Sequence, residues 1–166
     1  MKRIILIALF AVVTAGASAQ TVKIGYVNSL EILSLMPETK VADAELQKMA
    51  RELEAQYREY IMEYQKLANQ IQSNTELTDV AREAKMQDLG NLEQRITEYE
   101  STSQEKISAK RNELYEPILA KATETVQTVA EENGYTHILD SSTGAIIHAP
   151  EGDNILELVK AKLGLE

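Results

Sequence analysis

The chain contains no cysteine and no tryptophan, and its one phenylalanine is Phe10, close to the start. Without thiols there can be no disulfide staple and no thiolate metal site, so stability must come from packing and assembly. Without tryptophan, and with only tyrosines beyond Phe10, a large aromatic core is excluded. Proline occurs three times, and none lies between Pro37 and Pro117, so nothing of that kind interrupts a helix across the middle of the chain. The seven glycines form no G-x-x-x-x-G-K phosphate loop, which argues against ATP-driven action. No G-x-S-x-G nucleophile elbow or ordered triad is present. Basic charge is also short: 17 Lys and Arg stand against 26 Asp and Glu. That balance favours solubility and disfavours nucleic acid or anionic lipid as an unaided partner.

The only long apolar run is at the N-terminus. Lys2 and Arg3 precede an unbroken stretch from Ile4 to Val13, and Ala17-Ser18-Ala19 supplies small residues at a peptidase site. This is the pattern of a secretory signal, too short for a permanent span. Cleavage is expected between Ala19 and Gln20, with residues 1–19 removed, no stable membrane insertion afterwards, and a periplasmic destination in a Gram-negative bacterium. Without Lys2 and Arg3 the remaining chain carries 15 basic and 26 acidic residues, a formal balance of −11.

What is present in quantity is helix. Leu46, Leu53, Tyr60 and Leu67 step by seven, and Ala50, Tyr57, Tyr64 and Ile71 form a second series between them. The alternating gaps of four and three are the a/d spacing of a coiled-coil seam. The spacing predicts a helix from Glu38 to about Ser73, an arm of roughly 50–55 Å at 1.5 Å per residue. Ser73-Asn74-Thr75 breaks the seam, and Thr78 or Asp79 is placed to cap a second helix. So short a connection implies an antiparallel hairpin.

The second helix starts in register with Leu89, Leu92, Ile96 and Tyr99, then presents Ser103, Lys106 and Lys110 where apolar residues belong. The pattern resumes out of phase at Ile107, Leu114, Ile118, Ala122, Val126 and Val129. The seam should therefore be loose between Ser101 and Ala109. Pro117 should kink or break the helix by removing the bond to the Glu113 carbonyl.

The chain ends read differently. Residues 22–28, containing Ile24, Tyr26 and Val27, form a predicted strand, and Ser29 is placed to cap a short helix ending before Pro37. Gly134 stops the long helix. Tyr135 to Asp140, with Ile138 and Leu139, is a predicted second strand; Ala145 to Ala149, with Ile146 and Ile147, is a predicted third, joined to it as a hairpin through Ser141 to Gly144. Asp153 is expected to cap a last amphipathic helix, Asn154 to Leu163.

The expected class is thus α+β. A helical arm, 38–132, is attached to a small β head made by 20–37 and 133–166. A head so small lacks a sufficient core, and its strands leave unpaired edges. Self-association is the economical remedy, with Ile24, Tyr26, Val27, Ile138, Leu139, Ile146 and Ile147 as the oligomerisation residues.

Candidate chemistry is sparse. His137 and His148 lie on predicted strands with Asp140 near, but no third ligand recurs at a metal spacing, and no cofactor is expected. The tyrosines are more informative. Tyr57, Tyr60 and Tyr64 cluster along the first arm, and Tyr99 could face them. They pack the seam, or they greet unfolded apolar segments, since tyrosine joins a large apolar face to a wettable tip.

The residues resemble the Skp, or OmpH-like, periplasmic chaperones of outer-membrane proteins. The likeness is carried by Lys23-Ile24-Gly25-Tyr26-Val27-Asn28, by Ile32-Leu33 and Met36-Pro37, and by Glu131 to Asp140 with Ala145-Ile146-Ile147. It extends over nearly the whole chain after the signal. The resemblance implies a homotrimer whose strands share one β body. Its three helical arms would enclose a cavity for unfolded outer-membrane proteins, held and released without ATP and without catalysis.

Well-known members are basic, whereas residues 73–95 here hold Arg82, Lys85 and Arg95 against five acidic residues. Lipopolysaccharide binding is therefore not carried over, and client capture should rest on apolar and aromatic contacts. The other reading is a structural coiled-coil scaffold of the envelope that binds a folded partner.

Overall fold

The structure, a computed structural model, describes residues 22–165. The expected signal, with its cleavage point at Ala19 and Gln20, lies outside the described residues. The elements in order are β1 (Ile24–Val27), α1 (Ser29–Leu35), α2 (Pro37–Ser73), α3 (Asp79–Glu132), β2 (His137–Asp140), a 3-10 turn (Glu151–Asp153) and α4 (Leu156–Leu163). The chain divides into two compact units, one of residues 30–124 and one joining 22–29 to 125–164.

In the first unit α2 and the greater part of α3 form an antiparallel hairpin. Glu38 meets Lys121, Asp43 meets Tyr115, Glu45 meets Lys110, Leu53 meets Tyr99 and Gln70 meets Lys85, so one partner climbs as the other falls. The turn is made as the residues dictate. Asn74 N–H donates to the Gln70 carbonyl, and the Asn74 side chain accepts from Glu76 N–H. Thr78 Oγ1 then accepts from Ala81 N–H at 3.3 Å, which makes Thr78 the cap of α3. The Arg82 guanidinium reaches back to the carbonyls of Ile71 and Asn74 and stitches the two helix ends together.

α2 has 37 residues and α3 has 54, which at 1.5 Å per residue are about 55 Å and 80 Å of helix. α3 runs unbroken through Pro117, contrary to the local break expected there. The missing N–H leaves one carbonyl without its helical donor and does not end the helix.

In the second unit β1 and β2 pair in parallel, Ile24 opposite His137 and Val27 opposite Asp140. Val27, Val129, Ile155 and Val159 are its buried apolar residues. Gly25 is required by packing: a Cβ there would lie 2.9 Å from Tyr135 Cε1 and 3.0 Å from Ile138 Cδ1. Gly134, at φ 70°, ends α3 in the left-handed region as expected.

The predicted third strand is absent, and this corrects the hairpin reading of 135–149. Among the described residues β2 pairs only with β1. Its last residue, Asp140, accepts the N–H of Ser142 at 2.9 Å, an Asx turn that diverts the chain. Residues 145–149 consequently adopt no ladder, and Ile147 is 98% exposed. The other side of β1 is taken by a bridge from Tyr26 to Asn154 and by Ile155 N–H donating to the Tyr26 carbonyl. A second correction concerns the last helix. It begins at Leu156 with Ile155 at the N-cap, the Asn154 side chain accepts from Leu156 N–H at 2.9 Å in an Asx turn leading into it, and Asp153 belongs to the 3-10 turn.

Candidate functional site

Of the residues singled out in the hairpin, Leu53 and Tyr60 on α2 meet Tyr99 on α3, and the seam they mark is thin. Leu46, Leu53, Tyr57, Tyr60, Tyr64, Leu67 and Tyr99 are all half-buried; full burial is reached only at points such as Ala42, Ile71, Leu92, Ile118 and Ala122. Two paired helices can cover each other on one side only, so a strip along most of the seam stays wet.

The tyrosines divide into two sorts. Tyr60 and Tyr99 pack edge to face with centroids 5.2 Å apart, and the Tyr99 hydroxyl donates to the Leu53 carbonyl at 3.3 Å. Arg95 sits over the Tyr60 ring at 5.0 Å, a cation–π contact. These two are fixed. Among the described residues the hydroxyls of Tyr57 and Tyr64 have no such partner, and their rings remain half open.

The seam weakens where the heptads lapse, although the helices stay together there. Lys110 occupies an apolar position by reaching across to Glu45 at 3.0 Å while also holding Glu113 on its own helix. Hydrogen bonds to Glu45 and then Glu113 raise its pKa, because both favour the charged amine. Two turns away, Ser103 Oγ is shut off from solvent with no hydrogen-bond partner. Beside it lies an open groove of about 250 Å³. It is lined by the half-buried Leu53, Tyr57, Tyr99 and Ile107, with the exposed Ala50, Glu54, Glu100 and Gln104 at its margin. The lapse in heptad phase signalled this place; the groove itself could not be read from spacing.

A second groove, of about 370 Å³, was not anticipated. It is lined by Val41, Ala42, Leu114, Pro117 and Ile118 and crossed by the ion pair of Lys121 with Glu38 at 2.5 Å. The Lys121 hydrogen bond lowers the Glu38 pKa. Nearby the Tyr115 hydroxyl donates to Asp43 at 2.5 Å, which raises its pKa. A third, polar groove of about 560 Å³ near the hairpin turn includes Lys66, Leu67, Asp88 and Arg95.

In the strand-bearing unit, the residues expected to form an oligomerisation surface are unevenly placed. Val27 is 3% exposed and belongs to the unit's own core. Ile24 and Leu139 are each 47% exposed, Tyr26, Ile138 and Ile146 are half-buried, and Ile147 projects from the irregular segment. His137 Nδ1 lies 3.0 Å from Thr136 Oγ1, and His148 is exposed. Asp140 is bound to Ser29 and Ser142. Among the described residues, no three acidic or histidine side chains gather where they could hold a metal. Nor is any helix among them long and apolar enough to cross a membrane.

The comparisons with known proteins agree with this architecture. No curated protein matches the chain closely. A crystal structure of an OmpH-like outer membrane chaperone candidate from Caulobacter crescentus superposes with a TM-score of 0.73 at 16% identity, covering 86% of this chain and 83% of its own. That likeness is one of fold: long helices with a small strand pair at the chain ends. The family model for outer membrane protein (OmpH-like) matches residues 23–163, running from the start of β1 through the hairpin to the end of α4. The chain is thus a member of the OmpH-like outer membrane protein family.

Proposed function

We propose that this protein is a periplasmic holdase chaperone. It assembles as a homotrimer, binds unfolded outer-membrane β-barrel proteins between the helical hairpins of its three copies, and releases them without ATP. Family membership and the fold of the chaperone candidate from Caulobacter crescentus support a chaperone role in general.

The observation that carries the finer reading is the half-buried seam of leucine and tyrosine. It runs through a hairpin of two long helices and offers many shallow apolar contacts. Such contacts are individually weak and reversible; several linked hairpins convert them into avidity without an energy source. Assembly is supported by the other unit. A sheet of two short parallel strands is too small to stand alone, and parallel strands are ordinarily covered on both faces. Here Ile24, Leu139 and Leu158 are 47%, 47% and 41% exposed in the single chain. Burying them against further copies supplies the missing apolar area.

The test is the mass of the purified protein in solution, alone and with a urea-unfolded barrel protein, alongside light scattering of the client on dilution. Three copies, joined by one client and suppressing aggregation of several unrelated barrel proteins, are the expected result. A monomer at micromolar concentration, or a protein that ignores unfolded barrels and retains one folded partner, overturns the reading.

A further inference from the structure

The groove beside Tyr57 has the size, walls and charge of a receptor for one kind of side chain. We propose that it binds an aromatic side chain of an unfolded client, one flanked in the client sequence by Lys or Arg. This rests on the holdase reading and names the chemistry that the hairpin recognises.

Size comes first. A dry cavity of roughly 150 Å³ lined by aliphatic and aromatic groups accepts benzene. The groove, at about 250 Å³, therefore has room for one ring with the start of its backbone, and its open side lets an extended chain pass over it. Leu53 and Ile107 supply aliphatic lining, and the small, exposed Ala50 leaves the groove open at its position. Tyr99 is a fixed wall, its ring against Tyr60 and its hydroxyl on Leu53. Tyr57 is half-buried and has no hydrogen bond among the described residues, so its ring can turn edge or face toward a guest.

Charge selects the flanks. The margin carries two carboxylates, and no cation lines the groove. Glu54 is shared with Arg58 on its own helix, whereas Glu100 has no ion-pair partner among the described residues. An acidic client segment would be repelled here and a basic one favoured. Barrel proteins carry girdles of aromatic residues at both membrane interfaces, so one client offers many such rings.

The chain has no tryptophan, which makes a direct test available. The probe is a short unstructured peptide with one tryptophan between lysines, compared with the same peptide bearing glutamates. All indole emission then comes from the peptide. With the full protein, the lysine peptide should show a saturable blue shift and bind several-fold tighter than the glutamate peptide. Ala50→Met, which puts a long side chain into the groove from its margin, should weaken it about tenfold, the scale of losing an aromatic contact with its buried area. Glu54→Gln with Glu100→Gln, both at exposed positions, should leave the blue shift and abolish the preference for lysine.

Helicity by circular dichroism accompanies each variant, and the glutamine pair carries the test should Ala50→Met fail to fold. An unshifted emission, equal binding of both peptides, or wild-type discrimination in the glutamine pair overturns the proposal. Aggregation of an unfolded barrel protein is followed in parallel. A protein that suppresses it yet ignores the peptides loses the groove alone; one that binds peptide but never suppresses aggregation loses the holdase reading, and with it the assignment of this groove to clients.

Discussion

The Ser29 hydroxyl donates to the Asp140 carboxylate at 2.6 Å across 111 residues of sequence. The Ser29 N–H reaches the other oxygen of the same group at 3.2 Å, so a side chain at the end of β2 caps the helix that follows β1. Ser142 adds its N–H and its hydroxyl, each at 2.9 Å. Burial pushes the Asp140 pKa up, but the Ser29 hydroxyl and the bonds from Ser142 and Ser29 outweigh it and hold it at about 2.

Because the folded value lies below the ordinary 3.8, the ionised form stabilises the fold above that pH and the contribution fades as pH falls through about 2. Asp140→Ala should lower stability at neutral pH by about 1 kcal/mol, the scale of a lost helix cap at an exposed site. The difference between wild type and variant should shrink as pH drops from about 4 to about 2. Thermal melts across that range measure it; a gap that widens in acid would refute the assignment.

Gly25 faces Tyr135 so closely that a methyl group has no room. Gly25→Ala should destabilise the protein by about 1–3 kcal/mol through overpacking, read as a lower denaturation midpoint. Tyr135 also lies under the Lys23 amine at 4.0 Å, and shifting the ring would disturb that cation–π contact too. A midpoint unchanged by the substitution would mean the ring yields freely.

Ser103 carries a hydroxyl closed off from water with no partner in the hairpin seam. Removing it takes away an unmet desolvation cost and little else. Ser103→Ala should therefore raise stability by about 1 kcal/mol, an outcome seldom expected of truncation at a seam position. Chemical denaturation followed by circular dichroism would show it, and a loss of stability would point to a hydrogen bond formed in solution.

Pro117 lies within a continuous α3, where alanine would restore the bond to the Glu113 carbonyl. Pro117→Ala should stabilise the hairpin by up to about 3 kcal/mol, measured as a rise in Tm. If yielding at Pro117 also lets the hairpins fit clients of different size, the same variant should hold a narrower range of unfolded barrel proteins. A destabilised variant would mean that the proline's contacts with the Val41 and Ile118 side of the groove outweigh the missing bond.

How much of this was legible beforehand depends on how far apart the interacting residues lie. The hairpin could be read because a seven-residue repeat acts through neighbours one turn away, and the break at Ser73-Asn74-Thr75 interrupts that repeat visibly. The lapse at Ser103 to Lys110 was also visible, although its resolution was not: the Lys110 amine reaches Glu45 on the other helix, and the seam stays closed at that point. Pro117 was expected to kink or break α3 on local grounds, and the helix is not broken there.

The segment Ala145 to Ala149, with Ile146 and Ile147, has the composition of a strand, and nothing in those residues reveals that it lacks a partner edge. Residue order alone determined the helical hairpin, its turn, the stop at Gly134 and the β character of the segments around Tyr26 and Ile138, since each follows from contacts or conformational limits within a few residues. Only the tertiary structure decided that β2 lies parallel to β1, that Asp140 is brought onto Ser29, and that a groove opens beside Tyr57. Those depend on residues scores of positions apart, and separation in sequence carries no information about which of them will meet.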